Sequence, residues 1–152
     1  MKKALAQILL LTVPVSALFA HDPATDMATA AERFIKSLDD NAKKAALFSW
    51  DSKERGRWHF VPDKFIKPDG KRQGLVFKKM TAQQRTLAHG LLSSALSHRG
   101  YLEATTIMTL EQILFEIEGR DIRDPELYYV CIFGEPAKAG TWGWRYEGHH
   151  IS

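Results

Sequence analysis

Trp142-Gly-Trp-Arg-Tyr-Glu-Gly-His-His-Ile-Ser152 is the stretch that decides how the chain is read. Trp and Tyr favour a pleated, half-buried surface, so a strand is predicted. Side chains alternate along a strand. Trp142, Trp144, Tyr146 and His150 then share one face, and Arg145, Glu147, His149 and Ile151 share the other. The two histidines point opposite ways unless Gly148 supports a bulge. Glu147 and His149 share a face without distortion and can hold an ion or a proton between them. The plain alternative sends the aromatics to the core and leaves Arg145 and Glu147 paired on a wet face.

The strand needs a partner, and the chain supplies one just upstream. Leu127 to Phe133 is a continuous apolar run rich in aromatic and β-branched residues, the pattern of a strand buried on both faces. The loop Gly134 to Gly140 joins the two runs as an antiparallel hairpin. Cys131, the single cysteine, lies inside the apolar run and reads as an inert buried thiol.

Helices are predicted ahead of this hairpin. Thr29–Leu38 carries Ala30, Phe34 and Leu38 at i, i+4, i+8, and Asp39-Asp40-Asn41 offers a cap for a short helix over Ala42–Phe48. Thr81-Ala-Gln-Gln84 is a capping box, followed by an apolar arc of Leu87, Leu91, Leu92, Ala95 and Leu96. His98 and Arg99 are expected in the last turn of that helix, with Gly100 stopping it. A further helical stretch runs from Tyr101 to Met108. Thr109-Leu-Glu-Gln112 reads as a second capping box, with Leu110, Ile113, Leu114 and Ile117 as the buried stripe, Glu111 and Glu118 outside it, and Gly119 as the stop. His89 and His98 read as structural histidines. Between the helical regions, Trp58-His-Phe-Val-Pro62 and Gly74–Phe77 alternate like short strands, and Lys67-Pro-Asp-Gly70 is a turn. The scattered basic residues of this segment read as a solvated surface. The expected class is α+β: N-terminal helices followed by an antiparallel sheet or hairpin that ends at the C-terminus.

Length and composition are those of one ordinary domain: 152 residues, 45% hydrophobic and 26% charged. Residues 1–20 have the form of a secretory signal peptide. Met1-Lys-Lys is basic, Ala4–Ala20 is largely apolar, and small residues precede cleavage after Ala17 or Ala20. Residues 21–152 then form a single exported domain, periplasmic or secreted, with no membrane span remaining after cleavage. Without Lys2 and Lys3, 19 basic residues face 18 acidic ones, a net charge of +1 that argues against a nucleic-acid partner. There is no P-loop, GxGxxG, CxxC, HExxH or GxSxG to name an enzyme class.

Several stretches together carry a resemblance. They are Trp58-His-Phe-Val-Pro62, Met80-Thr81 with Gln84-Arg85, Gly100-Tyr101, Thr109-Leu-Glu111, Asp124-Pro-Glu-Leu-Tyr-Tyr129, Phe133-Gly134 and the final Trp142–Ser152. The chain resembles the uncharacterised bacterial family catalogued as domain of unknown function 3500. The resemblance implies no activity. It does imply a longer chain, continuing past the Gly-His-His strand into a part with more His and Trp. A fragment is therefore expected, with the missing C-terminal part of the family fold as one partner.

Three functions fit these residues. A metal site would use Glu147, His149 and His150, joined by His59 from a neighbouring strand, and would suit zinc, copper or iron. A binding module for a small, carbohydrate-like ligand would use Trp142, Trp144, Arg145 and Tyr146 as a platform. A structural domain would bury the same aromatics in its core.

Overall fold

The computed structural model describes residues 22–152; the predicted leader and its cleavage site lie outside the described residues. The α+β expectation holds. Helices α1 (Pro23–Lys36) and α2 (Asp40–Ala46) come first, then β1 (Leu47–Phe48) and an irregular segment. Strand β2 (Leu75–Val76), helices α3 (Ala82–Ala95) and α4 (His98–Glu118), and strands β3 (Tyr129–Phe133) and β4 (Gly143–Glu147) complete the chain. Among the described residues no helix is long and apolar enough to cross a membrane.

The predicted hairpin is the centre of the sheet. β3 and β4 pair antiparallel along their whole length, from Tyr129 opposite Glu147 to Phe133 opposite Gly143. β4 takes one edge of β3. On the other edge β2 pairs antiparallel with its first half and β1 parallel with its second. This register sends Val130, Ile132 and Tyr146 to one face, where they pack with Phe34 of α1 and Leu91 and Leu92 of α3. Burying such side chains contributes ~1.5–3 kcal/mol each. The opposite face carries Tyr129, Cys131, Arg145 and Glu147, and it lies under the irregular segment rather than under helices.

Local signals explain most element ends, including those placed differently from expectation. α1 starts six residues early because Asp22 caps Ala24 and Pro23 occupies the first turn, where its missing N–H is not needed. α2 gives way at Leu47, since Leu47-Phe48 finds a strand partner in Ile132 and Phe133. The Thr81–Gln84 capping box forms as predicted. His98, Arg99 and Gly100 do not close α3. Ser97 accepts from the Gly100 N–H and caps α4, so these residues open the next helix. Thr109 starts nothing: its hydroxyl donates back to the Thr105 carbonyl inside a continuous 21-residue helix.

That continuity inverts the expected orientation of α4. Tyr101, Ala104 and Met108 face the core, and the next position on the same face is Glu111, which is 2% exposed. The stripe predicted to be buried is the outer one: Leu110, Ile113 and Ile117 are exposed, Ile117 by 74%. Gly119, in the left-handed region at φ 61°, ends the helix as predicted.

Trp58–Pro62 is not a strand. The carbonyls here and just upstream are taken without a strand ladder, Phe60 O by the His150 N–H and four others by buried arginines. Arg145 Nη1 donates to Glu54 O (2.6 Å) and Arg57 O (3.0 Å), and Arg72 Nη2 donates to His59 O (3.0 Å) and Val61 O (2.8 Å). Arg72 is thus an exception to the solvated basic surface expected here, and it also pairs with Asp63.

Candidate metal centre

Glu147 is the last residue of β4, and the expected strand does not continue to Ser152. Gly148–Ile151 instead form a tight turn, with the Gly148 N–H donating to Ile151 O (2.9 Å) and the Ile151 N–H to Gly148 O (3.3 Å). Glycine is required at 148 because a Cβ there would lie 2.4 Å from the Tyr128 ring. His150 takes the left-handed conformation that the turn needs, at φ 64°. Its N–H donates to Phe60 O (2.7 Å), tying the turn to the irregular segment.

The turn changes the relation between the two histidines. They do not point opposite ways. Their rings stack, with centroids 3.7 Å apart and planes 26° apart. His149 is partly buried and His150 exposed. Glu111 meets them from the inner face of α4. Its Oε1 lies 2.7 Å from His149 Nδ1, and its Oε2 lies 3.5 Å from the Arg123 guanidinium. Donor atoms of Glu111, His149 and His150 all fall within 4.8 Å of one another. A carboxylate on Nδ1 fixes the ring and its tautomer, which leaves Nε2 of His149 as the free donor. Burial, and then the neighbouring His149, lower the His150 pKa, which favours the neutral imidazole that a metal requires.

Glu147 is not in this group. Once the strand ends, the shared face predicted for Glu147 and His149 no longer exists. Glu147 is fully buried between the sheet and the irregular segment: its Oε1 lies 3.3 Å from Arg72 Nε and 3.2 Å from Arg145 Nε, and its Oε2 accepts from the His59 N–H (2.9 Å). Burial raises its pKa, against the opposing pull of that N–H and the two guanidiniums. Arg145 and Glu147 do pair, in the interior and not on a wet face. His59 contributes backbone groups here, and its ring does not join Glu111, His149 and His150.

Of the predicted aromatic platform, Tyr146 is buried in the core, with its hydroxyl on Met108 Sδ, and Arg145 is committed to Glu54 and backbone carbonyls. Trp144 is half-buried on the wall of a cleft of about 720 Å³, together with Trp50, Arg55, Trp58 and His150. Trp142 lies elsewhere, its indole N–H on Ala137 O. His149 opens to a second cleft of about 610 Å³, lined by Lys64, Arg120, Asp121 and Asp124 among others. The histidine turn is therefore a ridge between two clefts. Cys131 is buried, its thiol pushed up to about 12 by burial, as expected of an inert side chain.

Sequence reasoning missed Glu111 as a site residue, and Trp50, Trp58 and Arg55 as cleft residues. A continuous helix over 98–118 would have exposed the first, since Glu111 follows Tyr101, Ala104 and Met108 on one face.

Comparison with known families settles what the chain is related to. The family described as protein of unknown function (DUF3500) matches residues 20–152. The chain belongs to this family. No curated protein and no solved structure matches it. In this member of the DUF3500 family, the Gly-His-His sequence forms the turn that brings both imidazoles to Glu111.

Proposed function

We propose that this DUF3500 protein is an exported metal-binding protein whose centre is built on His149 and His150 with Glu111. The observation that carries the reading is the buried Glu111 carboxylate held on Nδ1 of His149 beside a second, exposed imidazole. A carboxylate–histidine pair of this kind orients a ligating nitrogen and raises its basicity. Two imidazoles, one of them oriented by a carboxylate, suit zinc, copper or iron, and two protein ligands leave coordination positions open. In stacked rings the nitrogen lone pairs lie in near-parallel planes, so convergence on one ion requires the exposed His150 ring to turn while Glu111 holds His149. Export rests on the basic start, apolar run and small residues of 1–20.

Untagged protein expressed with its leader in a bacterium and analysed by elemental mass spectrometry should carry close to one transition-metal ion per chain. Its N-terminus should begin after Ala17 or Ala20. Metal-free protein that also fails to take up zinc, copper or iron would reduce the Glu111–His149 pair to a structural clamp. An N-terminus still carrying Lys2 and Lys3 would refute export.

A further inference from the structure

Residues 54–59 have no strand partner, yet their backbone is held from both sides. Arg145 grips Glu54 O and Arg57 O, Glu147 accepts the His59 N–H, and Arg72 grips His59 O. Burying two guanidiniums and a carboxylate to fix a loop carries a substantial desolvation cost. What this framework presents is Trp58, an indole 58% exposed on an immobilised backbone. Trp50 and Trp144 line the same cleft. Arg55, between the pinned residues, lies 4.0 Å over the Trp50 ring and has no carboxylate partner among the described residues. Its guanidinium is therefore oriented by an aromatic face and free to donate.

We infer that the cleft between Trp50, Trp58 and Trp144 binds a ring-bearing carboxylate, its ring stacked on indole faces and its anionic group on Arg55. Three large rings give apolar, flat contact area with little conformational entropy left to lose. A guanidinium matches a carboxylate through two parallel N–H donors. The cleft volume falls in the range that takes small ligands. The inference goes beyond the metal reading and does not depend on it, although His150 is on the wall of the cleft and joins the two sites. The ring can be a sugar acid or an aromatic acid, which share this chemistry.

The test is calorimetric titration of the full chain after chelator treatment, so that failure of the metal site does not obscure the result. The probes are tetragalacturonate, naphthoate and the neutral cellotetraose. One of the two carboxylates should saturate the protein, identifying the source of the ring, and cellotetraose should bind at least about tenfold more weakly. Trp58→Ala and Arg55→Gln should each weaken that carboxylate by about tenfold or more, with the circular dichroism spectrum unchanged. Phe65→Ser, which removes another exposed aromatic outside the cleft, should change nothing. The inference is overturned if neither carboxylate binds, if cellotetraose binds as well as the carboxylates, or if both cleft variants bind like the parent.

Discussion

Glu147→Gln probes the framework under the irregular segment. The carboxylate accepts one hydrogen bond, from the His59 N–H to Oε2, and its Oε1 lies at ion-pair distance from Arg72 Nε and Arg145 Nε. Glutamine removes the charge facing the two guanidiniums, and with its NH2 turned toward the His59 N–H that donor loses its acceptor. A buried donor left unsatisfied costs ~1–3 kcal/mol. Breaking a buried ion pair from one side costs ~3–5 kcal/mol. Each guanidinium keeps a second carboxylate, Asp63 for Arg72 and Glu54 for Arg145, which places the expectation at the lower end. The predicted loss is about 3 kcal/mol, or roughly 10 °C in melting temperature for a domain of this size. Urea denaturation, followed by circular dichroism and by tryptophan fluorescence, measures it. The fluorescence change should begin at lower urea than the loss of helix, because Trp58 rides on the released segment. A loss below ~1 kcal/mol, with the two probes still coincident, would show that the pinned loop does not depend on Glu147.

Two further outcomes follow from the turn and the core. His150→Gly relieves a non-glycine residue at positive φ and should raise stability by ~1 kcal/mol while weakening metal binding, so the two readouts move in opposite directions. His89 is half-buried among Phe77, Tyr101 and Tyr146, and burial lowers its pKa. The unfolded chain therefore binds this proton more tightly. Its contribution to stability is fully present above the unfolded value near 6.5 and is lost as pH falls toward the folded value. His89→Gln should flatten the pH dependence of unfolding below about 6.5 in a denaturation series.

The hairpin, the α3 capping box and the Gly119 stop were all legible in the sequence, because each is written in adjacent residues with one strong local meaning. The orientation of α4 was not. Its outer face holds Leu110, Ile113 and Ile117, and a hydrophobic stripe is ordinarily an inner one; it competes with the face of Tyr101, Ala104 and Met108, on which Glu111 is the buried position. The final turn was misread for a related reason. Trp142–Glu147 alternates cleanly, and nothing in Gly148-His-His itself announces that the Tyr128 ring lies where a Cβ at position 148 would sit. The site is a product of both errors: correcting the helix supplies Glu111, and correcting the strand brings His149 and His150 together. The arginine staples on residues 54–61 have no local signature, since each joins positions far apart in the chain.

The most direct test of the metal centre is titration of chelator-treated protein with zinc against a competing chromophoric chelator, in the parent and in His149→Ala, Glu111→Gln and Phe65→Ser. One ion should bind per parent chain. His149→Ala should abolish that binding, Glu111→Gln should weaken it by about 10–100-fold, and Phe65→Ser should leave it unchanged. If His149→Ala and Glu111→Gln both bind zinc like the parent, the centre does not lie at the Gly148–Ile151 turn.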